Sequence, residues 1–303
     1  MAAIICSLQS TWKILWRMIL FYLTWAIFLA VFFVPFGLGF TKWYHASPIE
    51  ARLYSDIITV VTILAATWVM TRFIDHRPFL TIGLAFNRVF RDFLIGAAIG
   101  CTWLGASVGI IWAFGWASPI PTSGFSGPVL AGSTIAMFFN VFAQEVLLCG
   151  FIFQTIRSRS NIVIAISVSA ALFAGYHAGA FKGEWLPVIN VFTAGILFCL
   201  SYILTDNLWL PIAIHFLWDV LLGPVLGLTE SGKSDLGGGW RMFSLHGPSL
   251  FTGGTFGMEG GLVVTITTVF FLIIICFFQR RKIRRLFLKC AQSSIDIDYR
   301  HTI

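Results

Sequence analysis

Charge is what this sequence has least of. Asp, Glu, Lys and Arg make up 11% of its 303 residues, and no polar segment is long enough to form a soluble domain. Cysteine is sparse and badly placed for bridging. Of six, Cys6, Cys276 and Cys290 lie near one predicted face, Cys101, Cys149 and Cys199 lie inside apolar runs, and there is no CxxC pair. That excludes a disulfide framework. Internal repeats and low-complexity tracts are absent, which argues against a solenoid and against the inverted repeats of many transporters. What remains is apolar: 58% hydrophobic residues and a mean hydropathy of +0.87.

A helix needs about 20 apolar residues to cross about 30 Å of hydrocarbon. Eight runs approach this, at 14–39, 56–74, 93–116, 128–153, 161–178, 185–204, 208–227 and 261–278. They predict an all-α, polytopic transmembrane bundle of about eight spans. The first run is too long for a signal-peptide core and is read as a retained span. We divide the chain into N-terminal spans (1–127), a core (128–227) and a final part (228–303) holding a Gly-rich outer loop, the last span and a basic tail.

The net charge of +7 would suggest nucleic acid in a soluble protein. Here the cations follow the membrane rule instead, so no nucleic-acid partner is expected. Lys13, Arg17, Arg77, Arg88, Arg91, Arg157, Arg159 and the tail Arg280, Arg281, Lys282, Arg284, Arg285 and Lys289 fall on one side of an eight-span arrangement. Lys42, Arg52, Lys182, Lys233 and Arg241 fall on the other. Both termini are therefore expected in the cytoplasm, and the tail, with Leu286 and Phe287, is expected on anionic lipid of the bilayer.

Against this apolar background the ionisable residues in the runs stand out, because a charge in hydrocarbon must be paired, neutralised or functional. The fourth run carries Asn140, Gln144, Glu145 and Cys149, the fifth Phe173-x-x-x-His177, and the seventh His215-x-x-x-Asp219. Residues four apart share a helix face. Read singly, each has an ordinary explanation: a packing histidine, or a glutamate that relays protons or couples ions. Read together, Glu145, His177, His215 and Asp219 predict one shared polar site. Two His and one or two carboxylates also form a plausible Zn²⁺ set with a position open for water.

The order of these motifs resembles the CPBP family, which holds type II CAAX prenyl endopeptidases and bacteriocin-processing and immunity relatives. That family's order is Glu-Glu-x-x-x-Arg-Gly, Phe-x-x-x-His and His-x-x-x-Asn/Asp. The resemblance covers about 128–227, including Gly150 and Asn207-Leu208-Trp209. It implies an intramembrane metal-dependent endopeptidase, a peptide or membrane-protein substrate, and a prokaryotic plasma membrane. It places the family's first Glu on Gln144, the second on Glu145, the Arg on Cys149, and the remaining positions on His177, His215 and Asp219. Expected roles are Gln144, Glu145, His177, His215 and Asp219 in catalysis, and His177, His215, Glu145 and Asp219 around a divalent metal, Zn²⁺. Gln cannot accept a proton at neutral pH, and the paired loss of a Glu and an Arg leaves the formal charge unchanged. Glu145 is then the expected base or ligand. Two other functions stay open: a catalytically impaired relative acting as a binding or immunity protein, and an ion-coupled transporter.

Reporter fusions test the topology. Fusions after Arg159 and after Lys289 should read cytoplasmic and one within 230–250 exoplasmic; an exoplasmic C-terminus would sink the arrangement.

Overall fold

The computed structural model describes residues 2–46, 48–120, 125–234, 241–278 and 280, and no side chains at 2–10, 34–46 or 48. The tail 281–289 and the stretch Gly237 to Trp240 lie outside the described residues. All eight apolar runs are helical. They are α1 (Ala2–Ala46), α2 (Pro48–Val69), α3 (Val89–Ala113), α4 (Gly127–Glu145), α5 (Ile162–Tyr176), α6 (Trp185–Thr205), α7 (Trp209–Val220) and α8 (262–278). A π-helical stretch, Val146–Phe153, and a last turn, Gln154–Arg157, prolong α4. Five of the eight are long and apolar enough to cross a bilayer; those at Ile162–Tyr176, Trp209–Val225 and Leu262–Phe278 are shorter. The chain is an integral membrane protein with an all-α architecture.

Of the shorter helices α7 is largely buried, whereas α5 and α8 each turn one apolar face outward, with Val163 and Ile164 on α5 and Ile266, Phe270 and Ile273 on α8 exposed. α4 with its extension is the most buried of the five long candidates, at 72%, and α1 the least, at 6%. In hydrocarbon every polar group must be satisfied internally. Ser107, Thr62, Ser201 and Thr268 therefore return their hydroxyls to the carbonyl four residues earlier. Others cross between helices: Trp25 to Thr62 (3.0 Å), Ser107 with Thr267 (2.8 Å) and Thr265 to Asn190 (2.6 Å).

Loop contacts define two ends of the bundle. At one, Leu208 N donates to Gly83 O and Asn207 Nδ2 to Ala85 O, joining the α2–α3 and α6–α7 connections. Gly83 sits at φ +104°, where an added Cβ would strike the Tyr202 ring. At the other end, strand β1 (Ala117–Pro119) pairs antiparallel with β2 (Phe243–Leu245), and Thr255 Oγ1 donates to Glu184. The Gly-rich 228–260 loop is thus tied down where it is described.

Small residues let α7 approach α3. A Cβ on Gly96 would lie 2.6 Å from Leu210 O, and one on Gly100 2.7 Å from Ile214 O. Ile214 adjoins His215, so this contact sets the depth of the site helix. Gly100→Val should therefore destabilise the fold by about 1–3 kcal/mol, as overpacking does, and displace His215. Thermal unfolding in detergent checks this, and an unchanged melting temperature would rule out the close contact.

Candidate functional site

α7 delivers the ionisable pair that organises the interior. His215 and Asp219 are one turn apart, and both are buried. His215 Nδ1 meets Glu145 Oε1 at 2.9 Å, and Nε2 meets Asp219 Oδ2 at 3.3 Å. A proton on each ring nitrogen turns both contacts into charge-assisted hydrogen bonds. Phe198 stacks on the imidazole, 4.6 Å between centroids at 16°, and Phe173 meets it edge-on at 5.5 Å. Glu145 is 1% exposed and ends the α-helical part of α4. The π turn begins at the next residue, a local device common at functional sites.

Across that turn Cys149 stays within reach of Glu145, as the four-residue spacing predicts. It also meets Cys199, Sγ to Sγ 3.9 Å, both as buried free thiols. The adjacent face behaves as the spacing predicts. Gln144 Nε2 donates to Asn140 Oδ1 at 2.7 Å, and Asn140 Nδ2 donates to Asp56 Oδ1 at 3.0 Å. A carboxylate only accepts, so Asp56 fixes which way both amides point. Arg52 stands 3.7 Å from the other Asp56 oxygen.

His177 ends α5, with Phe173 one turn before it. Its Nδ1 lies 2.9 Å from Phe173 O. A carbonyl cannot donate, so Nδ1 carries the hydrogen and Nε2 of the neutral ring keeps a lone pair. The Phe173 ring packs on both imidazoles, being 4.9 Å from His177.

His177, His215, Asp219, Gln144 and Asn140 line one cavity of about 410 Å³ between α4, α5, α6 and α7. Glu145 lies behind His215 and reaches the cavity through it. The outer loop adds residues that the motif reading missed: Glu230, Ser231, Lys233 and Glu259. Glu259 accepts from Trp218 Nε1 (2.8 Å) and from Ser231 N (2.6 Å), which straps the loop onto α7. Its carboxyl is pushed up to about 7, chiefly by burial and then by Asp219. Glu230 is 7% exposed, and its Oε2 has no hydrogen-bond partner. Burial, followed by the charges of Asp219 and Glu259, holds it well above the usual carboxylate range. The only hint in the sequence was acidic residues in a long loop, where solvation is the ordinary expectation.

The expected metal set does not fit as arranged. Both His215 nitrogens are turned to carboxylates, so neither offers a lone pair to a cation. Among the described residues no group of three or more His, Cys, Asp or Glu is disposed to hold an ion.

Residues 126–221 match the family model for Rce1-like type II CAAX prenyl endopeptidases. This is the CPBP-type segment that the motif order resembles, and it contains all five predicted site residues. No curated protein and no solved structure matches the chain.

The amide relay makes position 144 testable. A Glu there would set a carboxylate oxygen against Asn140 Oδ1 and add a buried charge near Asp56. Gln144→Glu should cost about 1–3 kcal/mol in thermal unfolding. Adding Asp56→Asn, which frees Asn140 to turn, should recover most of it. No loss in the single variant would show the relay to be wrongly oriented.

Proposed function

We propose that the chain is an intramembrane endopeptidase of the CAAX-protease type, hydrolysing a peptide or membrane-protein segment admitted to the 410 Å³ cavity. The family match supports a membrane protease. The observation that carries the finer reading is His177, whose Nδ1–H···O=C Phe173 bond leaves Nε2 as a proton acceptor in that cavity. Since Gln144 cannot take a proton, His177 takes the general-base part. It removes a proton from water as oxygen attacks the scissile carbonyl. The uncommitted second N–H of Gln144 is suited to the developing oxyanion. When the C–N bond breaks, the leaving nitrogen receives a proton from Glu230, which holds its own to higher pH than an ordinary glutamate, or from His177. Glu145 and Asp219 hold the His215 ring in place, and no step is routed through a metal.

Gln144 also favours a second reading, in which the chain binds peptides without cleaving them. Cleavage in proteoliposomes, followed by mass spectrometry, separates the two. His177→Ala should lower the rate about 10²–10⁴-fold. Glu230→Gln should lower it less and remove the alkaline limb of the pH profile, because a raised carboxyl acts as an acid only below its own pKa. Peptide retention without any cleavage by the wild type would establish the second reading. Elemental analysis runs alongside: one zinc per chain, lost in both His177→Ala and His215→Ala, would restore the metal-dependent mechanism.

A further inference from the structure

The two ends of this bundle differ in charge, and the cavity of His177 and His215 opens towards the end with fewer cations. Arg17 on α1, Arg77 after α2 and Arg159 after the α4 extension meet at Asp75, at 3.0, 3.7 and 2.9 Å. Arg157 lies 3.6 Å from Asp206 in the α6–α7 turn, which brings that connection to the same end. Arg88 and Arg91 stand at the start of α3, in the connection that Asn207 joins. At the opposite end the strand pair and the Thr255–Glu184 hydrogen bond gather the connections that follow α3, α5 and α7. Those connections carry Lys182, Lys233 and Arg241. Basic residues in short connections stay on the cytoplasmic side of a membrane, which puts the Asp75 end inside and the strand-paired end outside.

The residues lining the cavity run from exposed to buried in one direction. Tyr176, Gly179, Lys182 and Lys233 are exposed and belong to the outer ends and turns, whereas Gln144, Phe198 and His215 are buried within the helices. Further inward along the α4 extension, Phe151, Ile152 and Phe153 are fully buried. Two turns form the rim. Lys182 and Gly183 hold φ +49° and +84° in one, Ser231 and Gly232 +47° and +76° in the other. A Cβ on Gly232 would lie 3.5 Å from Ala180, and Gly232 N donates to Phe256 O at 2.8 Å, so the rim is built rather than loose. His177 follows the last residue of α5 at this end. From the inner end a substrate would have to pass the whole of that 15-residue helix, about 22 Å at 1.5 Å per residue.

We propose that the site takes its substrate from the exoplasmic side: a polypeptide segment exposed outside the membrane, from an exported peptide or from the outer juxtamembrane stretch of a membrane protein. The substrate class rests on the peptidase reading above; the side from which the cavity is reached does not. Cysteine accessibility tests the side. Cys6, Cys101, Cys276 and Cys290 are changed to Ser, and the buried Cys149 and Cys199 are kept. Single cysteines are placed on the rim (Lys182→Cys, Lys233→Cys), on the cavity wall (Ala194→Cys) and at the inner end (Arg91→Cys). A membrane-impermeant methanethiosulfonate is added to sealed cells expressing the full chain, and thermal unfolding reports that each variant is folded. Rim and wall cysteines should be modified before permeabilisation and Arg91→Cys after it. The reverse order would overturn the proposal, and so would an Ala194→Cys that reacts from the inner side alone. A pool of synthetic peptides, free or joined to a transmembrane anchor, is then presented to either face of oriented proteoliposomes. Cleavage should follow outer presentation, and the free and anchored arms tell the two sources apart; cleavage from the inner face alone would overturn the proposal. Outer labelling with no cleavage in any arm would uphold the outward opening and overturn the peptidase reading instead.

Discussion

The imidazole of His215, held between Glu145 and Asp219, is the interaction on which the centre of this bundle depends. Any one of the three groups alone would be an unpaired charge or orphaned polar group inside apolar protein, at a cost of several kcal/mol. Together they tie α4 to α7 through one ring, with Phe198 closing its face. The glycines of α3 that let α7 come close, the π turn after Glu145 and the Glu259 strap from the outer loop all serve to keep that ring in place.

The same arrangement explains how the site accommodates its departures from the family pattern. With Cys at 149, Glu145 has no arginine and takes His215 as its partner. With Gln at 144, the amide becomes the last member of a relay that starts at Asp56, itself flanked by Arg52. Neither substitution leaves a bare charge. The carboxylate at 145 is held by His215, and in the proposed reaction proton acceptance passes to Nε2 of His177.

Much of this was legible in the sequence. The eight apolar runs are eight helices, and the four-residue spacings correctly put Gln144 on Asn140 and Asp219 on His215. The motif order correctly pointed to the family segment. Three features were not legible. Spacing says that His215 and a carboxylate share a site, but not that both ring nitrogens are consumed, because that depends on how α4 and α7 cross. The second partner of Cys149, Cys199, lies on another helix 50 residues on, so no helical wheel of α4 could give it. Glu230 and Glu259 lie beyond the motifs, in a loop whose return onto α7 is set by strand pairing and a Trp218 hydrogen bond.

Long-range electrostatics give the molecule a polarity. Carboxylates of Asp219, Glu230 and Glu259 gather at the cavity near the strand-paired end, whereas three arginines crowd Asp75 at the other. Only about a Debye length, roughly 8–10 Å in ordinary salt, would be needed to screen them from one another in water. Within an apolar bundle screening is far weaker, so each cluster must find compensation locally. The cluster at the strand-paired end does so with protons, with Lys233, and with hydrogen bonds from Trp218 and Ser231. Among the described residues lining the other cavity, Asp75 is the carboxylate that meets Arg17, Arg77 and Arg159. The matched family segment accounts for the first cluster in part, but Arg17, Asp75 and Arg77 lie outside it. The charge balance at the Asp75 end is therefore built by the N-terminal helices together with the last turn of the matched segment.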